Sequence, residues 1–292
     1  MSNVARRTVG LDALLLAAVA MLAFAGNSLL CRLALRPRAI DPTSFTLLRV
    51  ASGALVLSLL CARHGARATV QAGSWRSALA LAGYAVAFAL AYVALDAATG
   101  TLVLFGAVQV TMLAWGLAQG ERPPRLAWAG FASATAGLAL LLLPGVSAPD
   151  PAGLALMAVA GISWGVYSLR GRGTADPVAA TASNFLRASP MCLLASAAAW
   201  PFAVPHIGLD GAVLAIASGA ITSGLGYVIW YAAVRRLSAT QAAMAQLTVP
   251  VLAAVGGVVF LDEALTSRLL LAAVLVLGGA ALAVAARRAA GS

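Results

Sequence analysis

Charge is what this chain has least of. Only 10% of its 292 residues are charged and 62% are apolar, which leaves too little polar surface for a soluble domain and makes the class an integral membrane protein. Lysine is absent, so all 19 basic residues are arginine. The cysteines, Cys31, Cys61 and Cys192, are odd in number and scattered, and imply no disulfide framework. The sequence contains no paired-carboxylate, His/Cys or Ser/His constellation, no metal-ligand spacing and no glycine-rich phosphate loop, so it points to no enzyme, no metal and no cofactor. Nor does any carboxylate sit in the middle of a hydrophobic run. Asp12, Asp41, Asp96, Glu121, Asp150, Asp176, Asp210, Asp262 and Glu263 all fall near run ends, and His64 and His206 lie in connectors. That is not the buried acidic or histidine relay on which proton-coupled transporters usually depend.

What is present is a series of hydrophobic runs long enough to cross a bilayer, each needing about 20 apolar residues. The runs cover 11–35, 42–62, 76–95, 98–118, 125–144, 152–171, 177–200, 210–234, 239–261 and 266–286. Turn chemistry separates them at Asp41-Pro42, Gly73-Ser74, Thr99-Gly100, Pro123-Pro124, Pro149-Asp150-Pro151, Asp176-Pro177 and Pro205-His206. The expected fold is all-α, with ten transmembrane helices. A β-barrel is excluded because the runs are continuous and do not alternate apolar with polar. Arg6 and Arg7 precede the first run, but no small-residue cleavage site ends it, so it reads as a retained first span.

The runs divide into two sets of five, 1–148 and 149–292. An aromatic ladder repeats between them at one offset of 139 residues: Phe88 matches Tyr227, Tyr92 matches Tyr231, and Gly26 matches Gly165. Because five is odd, the second set enters the membrane from the opposite face. Two inverted helical copies around a central cavity form a secondary-transporter architecture. Arginine sets the orientation. With a cytoplasmic N-terminus, Arg6, Arg7, Arg63, Arg67, Arg76, Arg122, Arg125, Arg170, Arg172, Arg235, Arg236, Arg287 and Arg288 fall inside, and only Arg32, Arg36, Arg38 and Arg268 fall outside. This bias places both termini in the cytoplasm of a bacterial inner-membrane protein. It also accounts for the net charge of +10 as topology, with no nucleic-acid partner.

The order of these features resembles the drug/metabolite transporter superfamily. Two five-span copies, an Asp-Pro opening spans two and seven, Arg49 and Arg187 within those spans, and acidic connectors after spans four and nine are similar to its EamA repeat. Within that family the chain is most similar to YddG-type exporters of aromatic amino acids. The resemblance implies a ten-helix basket with both termini cytoplasmic. It also implies export of amino acids or similar metabolites.

Candidate site residues follow from side chains that are awkward in lipid. Tyr84, Phe88 and Tyr92 stack on one helix face at i, i+4 and i+8. Tyr227, Trp230 and Tyr231 answer them in span eight, and Trp164 lies in span six. Each ring alone could be ordinary helix packing, but the duplicated stripe suits a wall for an apolar or aromatic side chain and for an ammonium group. Trp75, Trp128 and Trp200, near span ends, read as interfacial anchors. Asn27, Gln109 and Gln246, with Asn184, must face protein or water at membrane depth, and the first three would orient the polar end of a substrate. Pro250 inside span nine is expected to kink it as a hinge. For Arg49 and Arg187 a structural bond to helix-end carbonyls or to a gate is preferred over a substrate carboxylate. The expected cavity is lined by spans one, three, four, six, eight and nine, and one copy of the chain suffices to enclose it. The reading is a bilayer-embedded facilitative exporter of aromatic or apolar amino acids. The alternative is a drug or sugar/metabolite carrier of the same superfamily, with proton-coupled antiport left open.

Overall fold

A computed structural model describes residues 11–36, 38–62, 71–120, 124–143, 148–171, 174–199, 205–234, 236–237 and 245–290. Glu121, His64, Trp200, Arg6, Arg7, Arg63, Arg67, Arg122, Arg172 and Arg235 lie outside the described residues. The described chain is helical: α1 Leu11–Leu35, α2 Pro42–Cys61, α3 Trp75–Ala91, α4 Ala97–Ala118, α5 Arg125–Leu142, α6 Pro151–Gly171, α7 Pro177–Ala199, α8 Leu209–Val234, α9 Val249–Leu261 and α10 Ser267–Ala290. Five of these (α1, α2, α4, α6 and α8) are long and apolar enough to cross a membrane, and α3, α5, α9 and α10 contribute shorter apolar stretches. Large apolar side chains cover the outer faces, among them Leu59, Leu79, Leu194, Val259, Phe260 and Val274. A soluble monomer rarely leaves so much apolar surface exposed, and the chain is a multi-pass membrane protein.

The Asp-Pro pairs start helices for a local reason. Proline at the first helical position gives up no hydrogen bond, and the preceding aspartate accepts from the amides left free at the helix start. Asp41 accepts from Thr43 and Ser44 N–H, Asp150 from Gly153 N–H, and Asp176 from Val178 and Ala179 N–H. Burial alone would raise the Asp41 pKa. Bonds from Ser44 and Thr43 and from the His206 N–H outweigh it and hold the carboxyl below its ordinary value. Asp41 thereby ties the α1–α2 connection to the α7–α8 connection, alongside an isolated antiparallel bridge between Ile40 and Ile207.

Two details depart from the hydrophobic pattern. α3 stops at Ala91, and Tyr92–Leu95 form turns before α4. Pro250 sits in the first turn of α9, after the cap residue Thr248. It opens that helix and does not kink its interior.

α5 packs against α10, α3 and α4 against α6, α1 against α8 and α9, α2 against α7 and α8, α3 against α7, and α4 against α9. Small residues set these distances. Cβ atoms added at Gly130 and Gly279 would each lie 2.4 Å from the other's carbonyl oxygen, which fixes the α5–α10 crossing. Among the described glycines the tightest is Gly219, between α2 and α8, where a Cβ would lie 2.0 Å from the Arg49 carbonyl oxygen. α8 is π-wound there, over Ser218–Leu225. We predict that Gly219→Ala destabilises the detergent-solubilised protein by about 1–3 kcal/mol, the usual range for overpacking. Gly278→Ala, whose Cβ meets nothing within 4 Å, should be neutral or stabilising by up to about 1 kcal/mol. Thermal melting of the two variants checks the contrast.

Candidate functional site

The helix packing brings the aromatic stripes together as one continuous column. Centroid distances run Tyr92–Phe88 4.8 Å, Phe88–Tyr84 5.1 Å, Tyr84–Trp164 5.2 Å, Trp164–Tyr167 5.6 Å and Tyr167–Tyr231 6.2 Å. Tyr227 joins from the side, 4.7 Å from Trp164. These are the tilted and edge-on arrangements that the ring quadrupole favours. Phe24, which the hydrophobic pattern does not single out, contacts Trp164, Tyr227 and Trp230. Tyr167, one turn beyond Trp164, is likewise a member that the stripes alone do not reveal.

At the centre of the column lies a small space lined from α1 by Phe24, Asn27 and Ser28 and from α3 by Tyr84 and Phe88. The facing wall is Leu104 and Phe105 from α4, Trp164 from α6 and Tyr227 from α8. Its volume, about 10 Å³, is about what one water needs, so the centre is closed. No α9 residue lines it. Gln246 is fully buried beside it and accepts from Trp164 Nε1 at 3.5 Å, while Gln109 is buried in α4 outside the lining. Trp230 packs on Phe24 away from the cavity. Tyr92 and Tyr231 sit at the column's opposite ends.

A polar ring closes the centre. Arg49, only 2% exposed, donates from Nε to Ser223 Oγ at 3.0 Å and from NH2 to the hydroxyls of Tyr84 at 3.1 Å and Tyr227 at 3.2 Å. Its guanidinium carbon stands 5.0 and 4.8 Å from the Tyr84 and Phe88 ring centroids. Asn27 Nδ2 donates to the Tyr84 hydroxyl, and Asn27 Oδ1 accepts from Ser218, Thr222 and Ser223. The π-winding explains that convergence. In an α-helix residue i+5 turns away from i, whereas i→i+5 bonding stacks it above i, and Ser218 and Ser223 then share one face. The expected partners for Arg49, helix-end carbonyls, are replaced by neutral hydroxyls of the site itself. Arg187 lies elsewhere, its guanidinium 5.5 Å from the Trp75 ring centroid, so the two arginines have different roles.

Each end of the column has its own polar structure. At the Tyr92 end, Arg32 Nε meets Glu263 at 3.2 Å, NH2 meets Asp96 at 3.1 Å, and NH1 donates to the Tyr92 and Val93 carbonyls. Glu263 also accepts from the Ala97 N–H at 2.8 Å, taking the place of a cap on α4, and Arg36 donates to the Leu261 carbonyl. One cation thus locks α1 to the α3–α4 turn and the α9–α10 connection. At the Tyr231 end a pocket of about 190 Å³ opens among Ser74, Ser77, Tyr167, Arg170, Asn184 and Tyr231, where Arg170 donates to the hydroxyls of Ser77 and Ser74.

Burial, followed by the nearby Asp96 charge, raises the Glu263 pKa above its model-compound value of 4.5, and bonds from Ala97 and Arg32 offset this only in part. A carboxyl with a raised folded-state pKa penalises the native state once ionised, and the penalty is relieved as pH falls through that value toward the unfolded one. We predict that on acidification from neutral toward pH 4.5 the wild type gains melting temperature relative to Glu263→Gln. A flat difference between the two would contradict the assignment.

Comparison with known proteins gives a consistent picture. Residues 151–285 match the sequence profile of the EamA-like transporter family. The chain is 54% identical over 277 residues to an uncharacterized protein of Pseudomonas aeruginosa, covering 94% of this chain and 95% of that one. It is 29% identical over 261 residues to an uncharacterized transporter of Archaeoglobus fulgidus, covering 85% of this chain and 89% of the relative. A crystal structure with 23% identity superposes at a TM-score of 0.66 over 95% of this chain and 98% of that chain, a likeness of fold.

Proposed function

Because the chain belongs to the EamA-like transporter family, we propose that it is an inner-membrane carrier. In this reading it exports amino acids, aromatic or otherwise apolar, and related metabolites by alternating access. The observation that carries this is the closed aromatic and polar centre, lying on one column between a locked mouth and an open polar pocket. A carrier needs such a site, reachable from one side at a time. Phe24, Phe88, Phe105 and Trp164 would hold an apolar side chain. Asn27 and the hydroxyls around it would hold the polar end.

The ten-span, two-halves reading has support in the helix pairings. Exchanging each helix with the one five places away turns α3–α6 into α8–α1, α4–α6 into α9–α1, and α2–α8 into α7–α3. The pairs α2–α7, α4–α9 and α5–α10 map onto themselves. Two five-helix copies, spanning 1–148 and 149–292, would produce this invariance, and their odd helix number would make them inverted. The arginine bias then puts the Arg32 lock on the outer face and the Arg170 pocket on the cytoplasmic face, with both termini cytoplasmic. The centre as described is closed, with the Arg32 cluster bracing the outer end beside a pocket of about 280 Å³ at Asp96 and Thr99 and a pocket of about 190 Å³ at the cytoplasmic end. Pro250, at the start of α9, would let that helix tilt against the turn before it, and Arg187 beside Trp75 would steady the cytoplasmic rim.

The described helix interiors hold no carboxylate, which favours facilitated export. The buried Glu263 is the one observation favouring proton-coupled antiport. Counterflow in proteoliposomes separates the two. We predict saturable exchange of labelled phenylalanine that is unaffected by a transmembrane pH gradient. Exchange driven by the gradient and lost in Glu263→Gln would establish the coupled alternative, and no exchange with any amino acid would overturn the substrate class. In the same assay Phe88→Ala and Trp164→Ala should shift preference among amino acids by roughly tenfold, about 1.4 kcal/mol, at normal expression. Trp230→Ala should lower stability and leave preference unchanged.

A further inference from the structure

The two buried arginines among the described residues are treated in opposite ways. Arg32, 8% exposed, is fully matched, with two carboxylates and two backbone carbonyls accepting from it. Arg49 is buried more deeply, yet every hydrogen bond it makes is to a neutral hydroxyl, and its NH1 nitrogen has no partner among the described residues. The ion pairs among the described residues belong to Arg32 and Arg236. A cation with only a structural role is ordinarily buried with acceptors that match it, because an unmatched buried charge is heavily penalised. An unmatched one in a membrane interior marks a site for something that arrives.

We propose that Arg49, with the Tyr84 and Tyr227 hydroxyls, is a carboxylate receptor, and that the substrate is recognised by a carboxylate and an apolar body, with no requirement for an ammonium group. In the closed centre both phenol oxygens accept from Arg49 NH2 and NH1 has no partner among the described residues, so a carboxylate that takes NH2 from the phenols can put its second oxygen on NH1 in the planar two-point contact. When a carboxylate displaces them, each phenol turns its own proton toward the anion, since a hydroxyl donates as readily as it accepts. Asn27 holds Tyr84 in place for this.

The apolar body would then lie toward Trp164, Phe24 and Phe88. The lining has no carboxylate to pair with an ammonium; besides the two phenols it offers ring faces, Leu104, the Ser28 hydroxyl and the Asn27 amide. Arg49 stands behind the lining and reaches it through the Tyr84 and Tyr227 hydroxyls and the Phe88 ring, whereas the Arg187 guanidinium lies over Trp75, so the centre would take one carboxylate. The proposal rests on the carrier reading for its cavity but not on amino acids as cargo.

The test uses four probes sharing a phenyl body: L-phenylalanine, 3-phenylpropanoate, phenylalaninamide and 2-phenylethylamine. Each is scored by thermal stabilisation of the purified wild type and by competition in phenylalanine counterflow. Both carboxylates should bind, and the amide and the amine should bind at least tenfold more weakly. Arg49→Gln should abolish the distinction. Tyr227→Phe, which keeps the ring and its packing, should weaken the carboxylates several-fold and leave the amide unchanged, so the proposal stays testable if Arg49→Gln fails to fold. If phenylalanine is not exchanged but 3-phenylpropanoate stabilises the wild type and not these variants, the amino-acid reading falls and the receptor stands. If phenylalanine is exchanged and the amine competes equally, the receptor falls and the carrier stands. No stabilisation by either carboxylate would also overturn the receptor.

Discussion

A guanidinium buried without a counter-anion makes demands that much of the surrounding fold meets. Arg49 has to be held by dipoles, and the nearest ones form a closed circuit of contacts: Arg49 donates to Ser223, Ser223 to Asn27 and Asn27 to Tyr84, and the Tyr84 hydroxyl accepts from Arg49 as well. Such a circuit is worth more than its separate bonds because each polarises the next in a low-dielectric interior. It also requires α1, α2, α3 and α8 to meet at one point. Gly219 permits the approach of α8 to α2, and the π-winding turns Ser218 and Ser223 to the same amide oxygen. The unusual backbone of α8 thereby presents Ser223 to Arg49 and three hydroxyls to Asn27.

The same logic separates the two ends of the aromatic column. At the Tyr92 end a cation meets carboxylates and carbonyls in full, and the result is a lock. At the centre a cation meets hydroxyls that can be exchanged, which suits a site. At the Tyr231 end Arg170 meets the serine hydroxyls of Ser74 and Ser77 beside open space, which suits an entrance. The graded matching of arginine, from complete to partial, runs along the path that a substrate would take.

Much of the scaffold is legible in the sequence because helices announce themselves through runs of apolar residues ended by Asp-Pro and Gly-Ser. The start of α2, the bounds of α6 and the stacking of Tyr84 on Phe88 all follow from local rules. The site was legible only in outline. Asn27, Tyr84, Phe88, Trp164 and Tyr227 line one space; four of them carry a polar atom that lipid cannot satisfy, and Phe88 stands out only by its spacing between Tyr84 and Tyr92. Phe24 and Tyr167 are not legible, because a phenylalanine in a hydrophobic run has no signature and Tyr167 falls opposite Ser28, not a ring, at the 139-residue offset. The π-winding left no mark, since Ser-Gly-Ala-Ile-Thr-Ser suits an ordinary helix equally well. The Arg32–Glu263 contact joins residues 231 positions apart, and only tertiary packing determines it.

Reciprocal movement of the two mouths is the central claim, and spin-label distances measure it directly. With Cys31, Cys61 and Cys192, all buried, replaced by alanine, one pair of labels at Val93 and Leu265 reports the locked mouth. A second pair at Gln71 and Ala175 reports the opposite one. Removing the lock with Arg32→Ala should lengthen the first distance and shorten the second in the same lipid bilayer. If the first lengthens while the second stays fixed, or both open together, the protein is not an alternating-access carrier and the Arg32 cluster is simply a brace.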